Sequence, residues 1–185
     1  MTSIKKEFEF ILIGGWAVYL YTQAQKSKDI DIVIDFSVLD KLRTKYDLVK
    51  NERLKKYQIK KEGIDIDIYL PHYSNLGPPV EEIFKYQTAL ESFHVPVPEV
   101  LLITKQNAYK YRLGSIKGEK DKLDIISLLL LNEFDFTFYK KLLRDYKLDF
   151  LKLTKVILTA TSEVEELYLN KHFFARKKKE LLKKL

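Results

Sequence analysis

Two segments alternate residue by residue, Asp29-Ile30-Asp31-Ile32-Val33-Ile34-Asp35 and Ile64-Asp65-Ile66-Asp67-Ile68. Successive side chains on a strand point to opposite faces. Each segment therefore reads as a half-buried strand, with isoleucines on one face and carboxylates on the other. Asp29 and Asp31 then project from the same face a few ångströms apart. Two such charges repel unless a cation joins them, and a pair of oxygen ligands suits Mg²⁺, which also takes phosphate oxygens and water. The plain alternative is the wet face of an amphipathic strand.

What precedes the first of these strands bears on the choice. Phe8 to Ile13 reads as an apolar strand, Gly14-Gly15 as a turn, and Trp16 to Gln25 as a helix that leads the chain into the Asp-x-Asp strand. Glycines at such a turn let backbone N–H groups approach a phosphate, and the helix dipole favours the anion. A phosphate cradle and a pair of metal ligands are thus expected at neighbouring strand ends. A third acid would complete a two-metal site or act as base for an attacking hydroxyl. Asp65 and Asp67 are both candidates, and Asp67 is preferred because it lies nearer the strand's C-terminal end.

The remaining pattern sets the fold class. Ser37 is expected to cap a helix, with Asp40 as the capping-box acid. Tyr57 to Lys61, Glu62-Gly63 and Ile64 to Leu70 read as a β-hairpin. Pro71 to Pro79 reads as a loop, Pro79 as the first turn of a helix through Tyr86, and a second hairpin falls around Ser92. From Pro98 the chain is expected to be helical: Glu99 to Arg112, Glu119 to Asn132, Phe136 to Tyr146, and Leu148 into the tail, with Gly114 and Gly118 bracketing a mobile loop. The expected architecture is α+β: a mixed sheet flanked by helices in a core over residues 1–97, and a helical C-terminal region over 98–185 packed on it. At 185 residues and 46% hydrophobic side chains the chain is long and apolar enough for one globular core.

The segment ILIGGWAVYLYTQAQKSKDIDIVID resembles the signature of the nucleotidyltransferase superfamily, and IDIDIYL resembles that family's third-carboxylate strand. The resemblance covers about residues 8 to 70. It implies metal binding and hydroxyl activation by Asp29, Asp31 and Asp67, and phosphate contact by Gly14, Gly15 and Ser27. A second stretch, VPVPEVLLITKQNAYKYRLGSIKGEKDKLDIISLL, is similar to the C-terminal motifs of abortive-infection and related toxin-type nucleotidyltransferases. It implies nucleotide-binding roles for Lys105, Arg112, Lys120 and Asp121. Lys105, Tyr109 and Arg112 share one helical face by spacing, which suits a base or ribose flanked by phosphate-binding charge; a solvated charged stripe over a packed tyrosine is the plainer alternative. Asp121 and Asp124 could instead serve the dipole of their helix.

The resemblance implies an enzyme that uses Mg²⁺, in one or two ions, to move a nucleotidyl group from a nucleoside triphosphate to an acceptor hydroxyl, in a cytoplasmic toxin–antitoxin setting with an antitoxin as partner. An RNA acceptor is favoured over a protein or small molecule by the charge distribution. Residues 171–185 hold seven Lys/Arg against one Glu, a net +6 of the chain's +7, and such a tail attracts polyphosphate; a merely solvated helix is the alternative. A catalytically inactive nucleotide- or RNA-binding module of the same fold is the competing functional reading. The absence of cysteine excludes disulfides, thiolate zinc sites and a cysteine nucleophile. His72, His94 and His172 lack metal-ligand spacing. No signal-peptide core or membrane-length apolar run is present, so a soluble cytoplasmic protein with no membrane partner is expected.

Overall fold

The alternating segments form neighbouring strands at the middle of a seven-stranded mixed sheet. The computed structural model describes residues 7–61, 63–162, 164–167 and 169–185. In chain order the elements begin β1 (Ile11–Ile13), α1 (Gly14–Thr22), β2 (Ile30–Val33), α2 (Phe36–Lys45), β3 (Val49–Asn51), β4 (Lys56–Lys61) and β5 (Ile64–Tyr69). They continue with α3 (Val80–Ile83), β6 (Gln87–Leu90), β7 (Phe93–Pro96), α4 (Pro98–Lys110), α5 (Ile116–Leu129), α6 (Phe136–Asp145), α7 (Leu151–Ala160), a 3₁₀ turn (Glu165–Leu167) and α8 (Lys171–Lys184). The sheet order is β3-β4-β5-β2-β1-β7-β6. β2 runs parallel to β5 and antiparallel to β1, while β4–β5 and β6–β7 are antiparallel hairpins.

Register fixes which faces coincide. Asp31 pairs with Asp67 and Ile30 with Ile66 across β2–β5, so the acids of both strands lie on one face and the isoleucines on the other. Ile30, Ile32, Ile66 and Ile68 are all buried. The helical half is not separate from the sheet: α4 and α5 pack on one another and both pack on α1. The buried residues of strands and helices form one continuous hydrophobic cluster.

Several boundaries differ from the sequence reading. β1 is only three residues long, and α1 starts at Gly14 itself. α2 is capped by Asp35, whose carboxylate accepts from the Ser37 N–H at 3.0 Å, rather than by Ser37; Asp40 pairs with Arg43 instead. Pro79 is the N-cap of a single turn, α3, that ends at Ile83. Gly118 lies inside α5, where its N–H bonds to the capping Ser115 hydroxyl. A Cβ there would meet the Arg112 carbonyl oxygen at 2.1 Å, so the glycine serves close packing rather than loop freedom. The run from Leu148 is two helices, α7 and α8, separated by the 3₁₀ turn. Glu62, expected in the first hairpin turn, lies outside the described residues.

Candidate active site

The turn at Gly14-Gly15 and the Asp-x-Asp strand meet at one point. Because β1 and β2 are antiparallel, with Ile13 opposite Asp31, the residue after β1 lies against the Asp31 side chain. A Cβ on Gly14 would fall 2.1 Å from Asp31 Oδ2, and its φ of +67° is one that glycine adopts without strain. A Cβ on Gly15 would fall 2.8 Å from Ser27 Cβ, which places Ser27 over the same turn. α1 begins here with Ile13 as its N-cap, which has no polar side chain to cap the first N–H groups of the helix. The Gly pair, Ser27 and Asp31 are thereby brought together.

Asp67, not Asp65, is in register with Asp31. Both Asp67 oxygens are engaged: Lys56 Nζ forms a short ion pair with Oδ2, and Gln58 Nε2 donates to Oδ1 at 2.7 Å. Lys56 and Asp67 are each only 8% exposed. Asp31 accepts a bond from the Tyr69 hydroxyl at 3.2 Å. Burial, with the Asp67 charge adding to it, raises the Asp31 carboxyl above its ordinary value, against the pull of Lys105 and Lys56. Burial and both aspartates hold the Tyr69 phenol well above its ordinary value. Asp65 sits two residues back on β5, opposite Lys60.

The second motif converges on the same face. Lys105 is buried and its ammonium meets Asp124 Oδ2 at 2.7 Å and Asp121 Oδ1 at 3.2 Å. Burial works against its charge, but Asp124, Asp121 and Asp31 outweigh that and hold Lys105 protonated. Arg112 reaches the second oxygen of Asp121 at 3.0 Å, and its charge is felt by Tyr69 and Asp31. The shared helical face expected for Lys105, Tyr109 and Arg112 does not form, because α4 ends at Lys110 and Arg112 comes back from the following turn. Asp121 and Asp124 lie beyond the first turn of α5 and are acid partners of Lys105, not dipole caps. Lys120 is exposed on α5, and its charge acts on Asp124 from the edge of this network. Asp29, just before β2, faces Lys117 at 3.2 Å.

Lys56, Gln58, Tyr69, Asp124 and Lys117 thus join a site that the sequence reading built from three aspartates, two glycines, Ser27 and four later residues. Among the described residues, no three His, Cys, Asp or Glu groups are arranged to hold one metal ion. Asp29 and Asp31 are the kind of oxygen ligands that Mg²⁺, completed by phosphate and water, takes. Their competing contacts are a neutral phenol and a lysine whose side chain is 69% exposed. Asp67 does not fit a second ion in this arrangement, since the buried Lys56 ammonium already neutralises its charge and would repel a divalent cation. No helix among the described residues is long and apolar enough to cross a membrane. Two surface hollows, of about 600 and 670 Å³, lie along α7, and none of the three aspartates lines them.

No family model and no curated protein matches the chain. Among solved structures it is similar to an antigenic nucleotidyltransferase-like protein from Paracoccidioides brasiliensis, at 16% identity over 91% of this chain and 93% of that one, with a TM-score of 0.43. It is also similar to JHP933 from Helicobacter pylori, at 16% identity over 97% and 86% of the two chains, with a TM-score of 0.48. These likenesses are remote, and the functional reading rests on the residues of the site.

Proposed function

We propose that this chain is a Mg²⁺-dependent nucleotidyltransferase that moves a nucleoside monophosphate from a nucleoside triphosphate to an acceptor hydroxyl. The observation that carries this reading is the contact of Gly14 with the Asp31 carboxylate at the uncapped N-terminus of α1. It sets the first N–H groups of a helix beside a carboxylate of the neighbouring strand, which supports phosphate and a cation being bound side by side. Asp29 and Asp31 would hold the ion, and Gly14, Gly15 and Ser27 would cradle phosphate oxygens. Bound there, Mg²⁺ would neutralise the transferring phosphoryl group. Asp67 retains lone pairs beyond those used by Lys56 and Gln58, so it can accept a bond from the acceptor hydroxyl and orient it. Arg112 is the partly exposed cation of the second motif and would meet the departing pyrophosphate. Lys105, with its ammonium already shared between two aspartates, would act behind it.

RNA is the acceptor class we favour, on the charge of residues 171–185, and a toxin paired with an antitoxin is the setting that the motifs of 95–131 suggest. Calorimetry on Asp31→Asn tests the core of the proposal. The folded variant should bind Mg²⁺–triphosphate at least tenfold more weakly than the parent, and unchanged affinity would remove the site assignment. Incubation with each labelled triphosphate, Mg²⁺ and mixed cellular RNA and protein then identifies the acceptor: label in RNA supports our preference, label in protein replaces it.

A further inference from the structure

The buried pair Lys56–Asp67 differs in kind from the exposed pair Asp29–Lys117 among the three aspartates of the site. Asp29 and Lys117 are 40% and 69% exposed at their side chains, so their attraction is weak and a divalent ion can displace it. Lys56 and Asp67 are about 10% exposed at theirs. Separating them would strand two charges out of water, which is strongly unfavourable. Gln58 occupies the remaining Asp67 oxygen at 2.7 Å. The lysine is delivered by strand geometry rather than by a loop: Gln58 is directly opposite Asp67 on β4, and Lys56 reaches it diagonally from two residues away. Among the described residues, Asp31, in register with Asp67, takes a hydrogen bond only from the Tyr69 hydroxyl.

We infer that Lys56 is a built-in second cation: its ammonium stands at the third carboxylate where a second divalent ion would otherwise be held, and the site works with one metal ion, on Asp29 and Asp31. Lys56 is then a positioning residue. It fixes the Asp67 carboxylate where it would meet the acceptor hydroxyl, and it compensates the charge of Asp67 beside Asp31. The inference rests on the proposed nucleotidyltransferase reading, and it makes that reading more specific, because the metal count becomes a property of the chain.

Manganese counting by electron paramagnetic resonance, on the full chain with a non-hydrolysable triphosphate analogue, tests it without an activity assay. The parent should bind one Mn²⁺ per chain. Lys56→Gln should free Asp67 and admit a second. The double variant Lys56→Gln/Asp67→Asn replaces the ion pair by a neutral hydrogen-bonded pair of nearly the same shape, and should bind one Mn²⁺ with affinity within about threefold of the parent, since Asp67 is not a ligand. Two ions in the parent, or a tenfold or greater loss of Mn²⁺ affinity in the folded double variant, would overturn the inference and leave the nucleotidyltransferase reading standing. A parent that binds no Mn²⁺ with the analogue would instead defeat that reading itself.

Discussion

An alanine at position 14 would place its methyl group inside the Asp31 carboxylate, and its backbone would have to hold a φ of +67°. The backbone part alone costs an L-residue about 1–2 kcal/mol. The rest depends mainly on the Asp31 carboxyl group and should shrink when that group is removed, leaving only the Asp31 Cβ at 2.9 Å. Gly14→Ala is therefore expected to destabilise by more than the backbone cost, and Gly14→Ala/Asp31→Ala by less than the sum of the two single changes. Denaturant unfolding of the four proteins measures the coupling; strict additivity would mean that the glycine and the aspartate do not touch. The Gly pair and the Asp-x-Asp strand were legible from sequence because each is a local pattern. Lys56 and Gln58 were not, although they could have been. Lys61 pairs with Ile64, and counting back puts Gln58 opposite Asp67 and Lys56 opposite Tyr69. Beginning β4 at Tyr57 left Lys56 out of the strand and so out of the site.

Between elements, the buried Lys105 joins α4 to α5. A lysine 8% exposed between Asp121 and Asp124 cannot be removed without leaving two buried acids short of a partner. Lys105→Met should cost about 3–5 kcal/mol of stability by chemical denaturation, and should weaken triphosphate and monophosphate binding alike, because the damage lies in how α4 and α5 are held against α1, whose N-terminus would cradle phosphate in either ligand. A loss confined to the triphosphate would place Lys105 on the pyrophosphate directly. Spacing within α4 could not have shown this arrangement. The partners come from a different helix, and periodicity is silent on contacts between helices. It also overran the end of α4, putting Arg112 on a helical face when the chain has already turned back towards Asp121. The strands of the sheet, by contrast, were mostly legible, since alternation reports burial directly; β3, three residues without that pattern, was the exception.

Across the whole molecule, the basic C-terminus is part of the folded body. α8 buries Phe174 and Leu181, is capped by Asn170, and is tied to α7 by Lys178, which donates to the Thr161 carbonyl at 2.9 Å. Deleting it would remove core side chains as well as charge, so truncation cannot separate binding from folding. Arg176, Lys179 and Lys183 are exposed on α8 and can be reversed in charge without touching the core. A rival path exists: the hollow of about 670 Å³ beside the end of α4 is lined by Lys110, Lys147 and Lys152 with Asp149 as its acid, and by Tyr111, which is 72% exposed and could stack on a base. If RNA follows the ridge, Arg176→Glu/Lys179→Glu/Lys183→Glu should leave Mg²⁺–triphosphate affinity unchanged. It should also weaken RNA binding at low salt and make the dependence of log affinity on log salt shallower by up to about 2, at roughly 0.7 for each lost contact to a single strand. The matching triple reversal at Lys110, Lys147 and Lys152 should then change RNA binding far less. Filter binding at a series of salt concentrations decides between them: the opposite ranking moves the acceptor to the groove, one residue from Arg112, and RNA affinity untouched by both triple variants would remove the charge argument for an RNA acceptor.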